Sequence, residues 1–587
     1  MSQPPAASNS NVSTLIATTA AFAAGVASGV ALYAARERRE RQRVVSSTAP
    51  LDPTKAETMR EPAAELVDLI VRYHDKLHSR DPKTSYAVRP NVKPGSIVAQ
   101  IPRTCPDDPE SYASIFKDCE DIILPGLTHW VSPNFFAYFK TFGSEPSALA
   151  ELLAASLNIV GFSWVAAPAA TELEIAMCDW VARLLGLPEC FLSTTDGGGV
   201  IQGSASDSLL CAMIAARNRA LEGLEGQARV DKASRLVMYV SDQTHSIGGK
   251  GCLVLDLPHL RVIPTRRGAT DPDNYGLHPD DVAAAMQEDV AAGLVPFMLV
   301  PTVGTTSTTA IDPVRALVAV ARQQREPVWV HIDGAYGGAA AVCPEYQHWM
   351  DGAEHVDSVC VNAHKWLLVP MDCSLLWVRD RRPLVKALTL DPEYLKNEFM
   401  SQVNYKDWQV ALGRRFRSLK LLVHAASAWG ERASCAHPTG PSRWPSALRR
   451  CLAARTALHD LYGPCACHWC ASMCRSEDES LNEAVIGPCQ RRRPDLPSLH
   501  SVVDGTTYRL AVGGSEISEW NIDNAVEVLS QSLTEPRRDR EQVQLGVRRV
   551  HAPPRNSCRE KKREIVLYLV STRSIVSVCY ASSLVEH

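Results

Sequence analysis

Five short stretches carry residues that could act together, and each follows or opens an apolar run. Lys365 stands in Val361-Asn362-Ala363-His364-Lys365-Trp366, just beyond a strand-like segment and ahead of Leu367-Leu368. Partial removal from water lowers the pKa of an amine and makes it a usable nucleophile toward an aldehyde. Asp333 closes Val330-His331-Ile332-Asp333 and is followed by Gly334 and Ala335. A carboxylate there can pair with a pyridinium nitrogen and keep it protonated, which strengthens an electron sink, and small neighbours let a flat ring approach. Gly197-Gly198-Gly199 and Gly203-Ser204-Ala205-Ser206-Asp207 run into the apolar helix Leu209–Ala216, where backbone N–H groups at a helix start can hold a phosphate. His245, in Asp242–Ser246, could stack on a ring. Thr306, in Val303–Ser307, could offer a hydroxyl to phosphate or ring. Taken singly, these are a strand-end lysine, a turn aspartate, a glycine-rich turn, a structural histidine and a loop threonine. Together they place a phosphate cradle, a stacking imidazole, a pyridine-pairing carboxylate and an amine at successive strand ends.

The elements that must position them alternate along the chain. Short apolar runs at Leu236–Val240, Phe297–Val300, Val328–Ile332, Val359–Val361 and Leu375–Val378 are separated by helical patterns. This predicts an α/β domain with a mostly parallel sheet, whose functional groups sit at the carboxyl ends of the strands. Thr171-x-x-Glu174 predicts a capping box opening a helix through Trp180 and Leu184. Glu61–Lys76 predicts an amphipathic helix with Leu66, Leu69, Ile70 and Tyr73 on one face.

The 587 residues are enough for several cores, and the formal charge of -4 calls for no nucleic acid or acidic partner. The 18 cysteines are scattered except between Cys435 and Cys489, unlike a secreted disulfide framework. Cys465, Cys467, His468, Cys470 and Cys474 lack a second matched pair, so no metal site is expected. Leu15 to Ala35 runs without a charge and is followed by Arg36, Arg38, Arg39, Arg41 and Arg43. Two readings stay open: a membrane anchor with the main body on its cytoplasmic face, or an organelle transit peptide. Otherwise the chain is expected in the cytoplasm. Residues 44–55 form a linker. Residues 431–475 lack a helical or strand period and read as an altered frame or retained intron. The tail from Arg537 is basic and then apolar.

Longer blocks carry a family likeness. They are Thr128-His129-Trp130 with Ser132–Phe139, Gly161–Trp164 with Ala170–Glu174, Gly199–Ser206, Asn362–Trp366 and Leu412–Lys420. The chain resembles the pyridoxal-phosphate-dependent group II decarboxylases, in particular the aromatic-L-amino-acid, tyrosine and tryptophan decarboxylases. The resemblance runs from about Leu51 to Lys420 and resumes around 477–533.

It implies the aspartate-aminotransferase-like fold (fold type I) with a seven-stranded, mostly parallel sheet. The implied domains are an N-terminal anchor or transit segment with linker at 1–50, a helical segment at 51–135, a large cofactor domain at 136–430, a small C-terminal α/β domain at 431–535 and an irregular tail at 536–587. It makes Lys365 the Schiff-base lysine of pyridoxal 5'-phosphate, Asp333 the pyridine partner and His245 the stacking residue, with Ala335 on the opposite ring face. Ser204, Ala205, Thr306, Asn362 and His364 would hold the phosphate and its surroundings. Trp130, Thr141, Val160 and Phe162 would shape the substrate pocket. Gly413 would leave room for an indole. Tyr394 would reprotonate the α-carbon, since relatives that release aldehyde carry Phe there. The resemblance also implies a homodimer with a shared active site. Aldehyde synthase, aminotransferase and catalytically impaired readings remain as alternatives.

Overall fold

The computed structural model describes residues 59–429, except residues 80, 82–83, 136–137, 140–142, 267–274 and 391, together with residues 473–474 and 508–509. The charge-free run at 15–35, most of the atypical segment and the tail lie outside these residues. Among the described residues no helix is long and apolar enough to cross a membrane, and no group of three or more His, Cys, Asp or Glu could hold a metal ion.

The chain divides into two compact units. One comprises Met1–His74 with Pro94–Leu124, and the other Asp75–Lys93 with Pro125–His587. In the first, the helix Tyr112–Asp118 is capped by the Ser111 hydroxyl, which accepts from the Ser114 amide. The helix Arg60–His78 was expected from its pattern, and of the four residues expected on its inner face only Ile70 is exposed. Leu69 and Leu77 are buried, whereas Ile70 is 48% exposed. The inner stripe follows half-buried Leu66, buried Leu69, half-buried Tyr73 and buried Leu77, the 3–4 spacing of one helix face.

The second unit holds a seven-stranded sheet. Its strands are β1 (Gly198–Gln202), β2 (Leu236–Ser241), β3 (His259–Ile263), β4 (Val295–Leu299), β5 (Trp329–Asp333), β6 (Ser358–Asn362) and β7 (Ser374–Val378), in the order β1-β7-β6-β5-β4-β2-β3. The pairs β2–β3, β2–β4, β4–β5 and β5–β6 are parallel. β7 runs antiparallel to both β1 and β6, so six strands point one way. Their carboxyl ends therefore share one edge of the sheet. That edge is where Ser204, His245, Thr306, Asp333 and Lys365 emerge.

Two strands went unrecognised in the sequence for physical reasons. β1 opens on Gly198-Gly199, poor strand formers. The glycine is needed there: a Cβ on Gly199 would lie 2.7 Å from Cys178 Cβ and 2.8 Å from Trp377. β3 is an edge strand, only partly buried and broken by Arg261. The central strands β2, β5 and β6 are buried throughout, as expected where both faces of a parallel sheet are covered.

The expected capping box is overturned. The helix begins earlier, at Pro168, with no side-chain cap at Ala167. Thr171 lies inside it, its hydroxyl donating to the Ala167 carbonyl at 3.0 Å. Glu174 faces inward and accepts from the Ile201 amide at 2.8 Å.

Candidate active site

The parallel register pairs Asp333 with Cys360 across β5 and β6. The Asp333 backbone extends the ladder toward β4, its amide donating to Pro301 O at 2.9 Å and its carbonyl accepting from the Val303 amide at 2.9 Å. The carboxylate is 6% exposed. Its Oδ1 accepts from the Ala335 amide at 3.1 Å and from the Cys360 thiol at 3.7 Å. Ala335 is buried beside it.

One strand further, β6 ends at Asn362 and turns at once into the short helix Ala363–Trp366. Buried His364 accepts from the Cys373 amide on Nδ1 at 2.9 Å, so its proton resides on Nε2. Burial, with the charge of Lys365 second, lowers its pKa to about 4, leaving a neutral ring with a free choice of donor direction only at Nε2. Lys365 is half-buried, with Nζ 5.5 Å from the centroid of the Phe139 ring. Phe139 stacks on Tyr336 at 3.7 Å, and Tyr336 stacks on Trp366 at 4.9 Å. This three-ring stack was not anticipated, although each ring lies in a block noted for its family likeness or its place beside Asp333.

The other strand ends supply the remaining groups. Ser204 caps the helix Ala205–Ala220: its hydroxyl accepts from the Asp207 amide at 3.3 Å and donates to the Asp207 carboxylate at 2.9 Å. The hydroxyl is thus engaged locally, and the anion-binding capacity of the turn rests on its first backbone amides, including that of Ala205. After β4, Thr305 pairs with Thr308 at 2.8 Å and accepts from the Ala310 amide. This fixes a tight turn with Gly304 at φ +85°, on which Thr306 is half-buried. His245 follows β2, and its Nδ1 accepts from the Ile247 amide at 3.3 Å. Part of its ring faces open space, yet surrounding protein lowers its pKa; Asp333 opposes that shift and Lys365 adds to it. The three residues therefore share one electrostatic neighbourhood.

The substrate-side residues form a looser set. Trp130 stacks on Tyr138 at 5.3 Å and tilts against Phe135 at 4.9 Å. Thr141 lies outside the described residues. Val160, Phe162 and Gly413 meet where two segments are tied together: the Gly161 amide donates to Arg414 O at 3.2 Å, and the Lys406 amide donates to Phe162 O at 2.8 Å. A Cβ on Gly413 would meet nothing within 4 Å. Tyr394 sits on a short turn, Glu393–Leu395, and is 78% exposed. Beneath this set, Arg414 pairs with Glu174 and also donates to Ile201 O at 3.3 Å, with its guanidinium 4.7 Å from the Tyr405 ring centroid. Sequence patterning missed this buried pair because it read Glu174 as a helix cap.

Comparison with known proteins identifies the arrangement. The pyridoxal-dependent decarboxylase conserved domain matches residues 94–428. The chain belongs to that family. Tyrosine decarboxylase 2 of Narcissus pseudonarcissus is 44% identical over 376 residues, 63% of this chain and 72% of that protein. Phenylacetaldehyde synthase of Arabidopsis thaliana is 46% identical over 377 residues, 63% of this chain and 74% of that protein. The crystal structure of Catharanthus roseus tryptophan decarboxylase in complex with L-tryptophan superimposes with a TM-score of 0.70 at 37% identity, covering 82% of this chain and 99% of that one. The protein is thus a carboxy-lyase of α/β fold whose cofactor is pyridoxal 5'-phosphate.

The decarboxylase site fits that cofactor on its own chemistry. Asn362 is 2% exposed, and its side-chain Oδ1 is buried without a hydrogen-bond partner. Such an orphaned polar atom in a folded interior marks a place where a further polar group is accommodated, and turning the amide over presents an N–H instead. Across β7 from Asn362, β1 leads into the helix amides after Ser204, and His364, with its proton on Nε2, lies two residues further along the chain. The donor set is that of an anion site, while Asp333 is an acceptor suited to a protonated ring nitrogen.

Proposed function

We propose that this decarboxylase removes the α-carboxylate of an aromatic L-amino acid and releases the amine and carbon dioxide, with tryptophan preferred and tyrosine and dopa next. The observation carrying this reading is a tyrosine, not a phenylalanine, at position 394 on an exposed turn. A phenol can hand a proton to the α-carbon after carbon dioxide departs; a benzyl side chain cannot.

Bound pyridoxal phosphate supplies an aldehyde that condenses with amines and a protonated ring that delocalises the electron pair left by decarboxylation. The protein residues do the rest. Lys365 Nζ would tether the cofactor and yield to the substrate amine. Asp333 would hold the proton on the ring nitrogen. His245 and Ala335 would flank the ring. The amides after Ser204, with Thr306, Asn362 and His364, bind the phosphate. Trp130, Thr141, Val160, Phe162 and Gly413 take the aromatic side chain. Open space at Gly413 admits a wide ring, which favours indole.

The active unit is a homodimer. The helix Glu145–Leu157 exposes Leu149, Leu152, Leu153 and Leu157 at 62%, 40%, 49% and 51%. Leucines at this spacing make a continuous apolar stripe that water would solvate at a cost of roughly 25 cal/mol per Å². A second copy covers it and places Tyr394 in an enclosed site.

Purified protein reconstituted with cofactor should release amine from tryptophan faster than from tyrosine, dopa, phenylalanine or histidine. Tyr394→Phe should lose amine and gain aldehyde. Unchanged amine output with no aldehyde from that variant would remove Tyr394 from the proton transfer. Aldehyde as the main product of the native chain would establish the synthase reaction instead.

A further inference from the structure

The carboxylate of Asp333 is held from two sides, and one side has no part in the roles assigned above. Within β5, Trp329, His331 and Asp333 alternate onto one face of the sheet, opposite Ser358 and Cys360 of β6, since His331 pairs with Ser358 and Asp333 with Cys360. The buried Ser358 hydroxyl lies 2.8 Å from Trp329 Nε1 and 2.7 Å from His331 Nδ1. An indole N–H is a donor only. Ser358 Oγ therefore accepts from Trp329 and shares a second hydrogen bond with His331 Nδ1. His331 Nε2 is buried and has no hydrogen-bond partner among the described residues. His331 is fully buried, and the same burial, opposed by the Asp333 charge, favours the neutral ring.

Cys360 completes the arrangement. It is 1% exposed, and its thiol donates to Asp333 Oδ1. Burial first, and the Asp333 charge second, keep it protonated. The thiol cannot act as a reactive thiolate in this setting. It can act only as a donor.

We infer that Cys360 is a positioning residue: its S–H, donating to Asp333 Oδ1, orients the Asp333 carboxylate toward the ring nitrogen of the cofactor. Oδ1 is occupied by two interior donors, the thiol and the Ala335 amide, so the carboxylate cannot rotate freely and its other oxygen is committed to the cofactor side. This rests on the reading of Asp333 as the pyridine partner.

The test uses the cofactor-loaded protein and isotope-labelled pyridoxal phosphate. The nitrogen chemical shift of the bound ring reports directly whether that nitrogen is protonated. Cys360→Val removes the donor and adds one methyl group. It should move the ring resonance toward that of a neutral pyridine and speed cofactor dissociation by roughly threefold to tenfold, the scale of one lost hydrogen bond. Cys360→Ser keeps a donor and should retain the native resonance and dissociation rate within about twofold. Should the valine variant fail to fold, the serine variant decides: a resonance displaced toward neutral pyridine in a folded serine variant overturns the inference. Native resonance and dissociation rate in a folded valine variant overturn it equally. Asp333→Asn separates the two levels. If it leaves the ring resonance unchanged, the Asp333 reading fails. If it moves the resonance while Cys360→Val does not, Asp333 stands and the role of Cys360 falls.

Discussion

The two halves of the catalytic site are built in opposite ways. The cofactor half hangs from strand ends: Asp333 and Asn362 are 6% and 2% exposed and lie within the sheet ladder. The proposed proton-donor half hangs from a loop, where Tyr394 is 78% exposed. The loop is fastened at its base, where buried Lys406 donates to Asp407 Oδ1 at 2.7 Å and Leu390 O at 3.4 Å, and Asn404 accepts from the Trp164 amide at 3.1 Å, and Phe399 packs on Trp164 at 4.6 Å. A group that must hold a rigid cofactor benefits from a rigid mount. A group that must close over substrate, and let product leave, needs a mount that moves.

Breaking the rigid half should have the largest effect. Lys365→Ala should lower turnover by more than roughly a thousandfold, because it removes the tethering amine, and the purified variant should lose the visible absorbance of lysine-bound cofactor. Breaking the mobile half should cost less and change the product. Tyr394→Phe should lower amine formation by about a hundredfold to ten-thousandfold, the range of general acid catalysis, while leaving cofactor affinity and thermal stability unchanged. Chromatographic separation of amine from aldehyde reads the first effect, and calorimetry the second.

The seam between the halves is sharpened by stability measurements. Glu174→Ala leaves Arg414 charged and buried and should cost about 3–5 kcal/mol in denaturant unfolding. The rigid half should also carry an acid sensitivity that the loop lacks. Burial lowers the pKa of His331 and of His364 to about 4, against about 6.5 for an unfolded histidine. Between these values the unfolded chain binds protons that the folded chain refuses. The contribution is therefore complete above about pH 6.5 and is lost as pH falls toward 4, by roughly 3 kcal/mol for each ring. His331→Gln should flatten the pH dependence of the melting temperature over that window. The smallest effect should come from Gly413→Ser. Its side chain enters open space, so stability should change by less than about 0.5 kcal/mol, while the ratio of tryptophan to tyrosine turnover falls.

The sheet was legible where its strands are apolar and central. Five strand-like runs became β2, β4, β5, β6 and β7 within one or two residues. β1 was hidden because close approach to Cys178 and Trp377 demands glycine at position 199, and glycine carries no strand signal. The proposed cofactor residues stood out in the sequence because each follows a strand. The stack of Phe139, Tyr336 and Trp366 was not visible as a unit, since it joins segments nearly 200 residues apart through packing alone. The capping box failed because a Thr-x-x-Glu pattern also suits a buried ion pair, and tertiary contact with Arg414 decided between them. Ile70 was misplaced because the chosen face departed by one residue from the true helical stripe.

The central claim is that Lys365 carries the cofactor, and one measurement addresses it directly. Borohydride reduces the carbon–nitrogen double bond between a lysine and pyridoxal phosphate to a stable single bond. Purified cofactor-loaded protein, reduced, digested and sequenced by mass spectrometry, should show one phosphopyridoxyl label, on the peptide containing Asn362-Ala363-His364-Lys365-Trp366 and on Lys365 itself. A label on another lysine, or a saturated absorbance spectrum with no label on Lys365, would contradict the account.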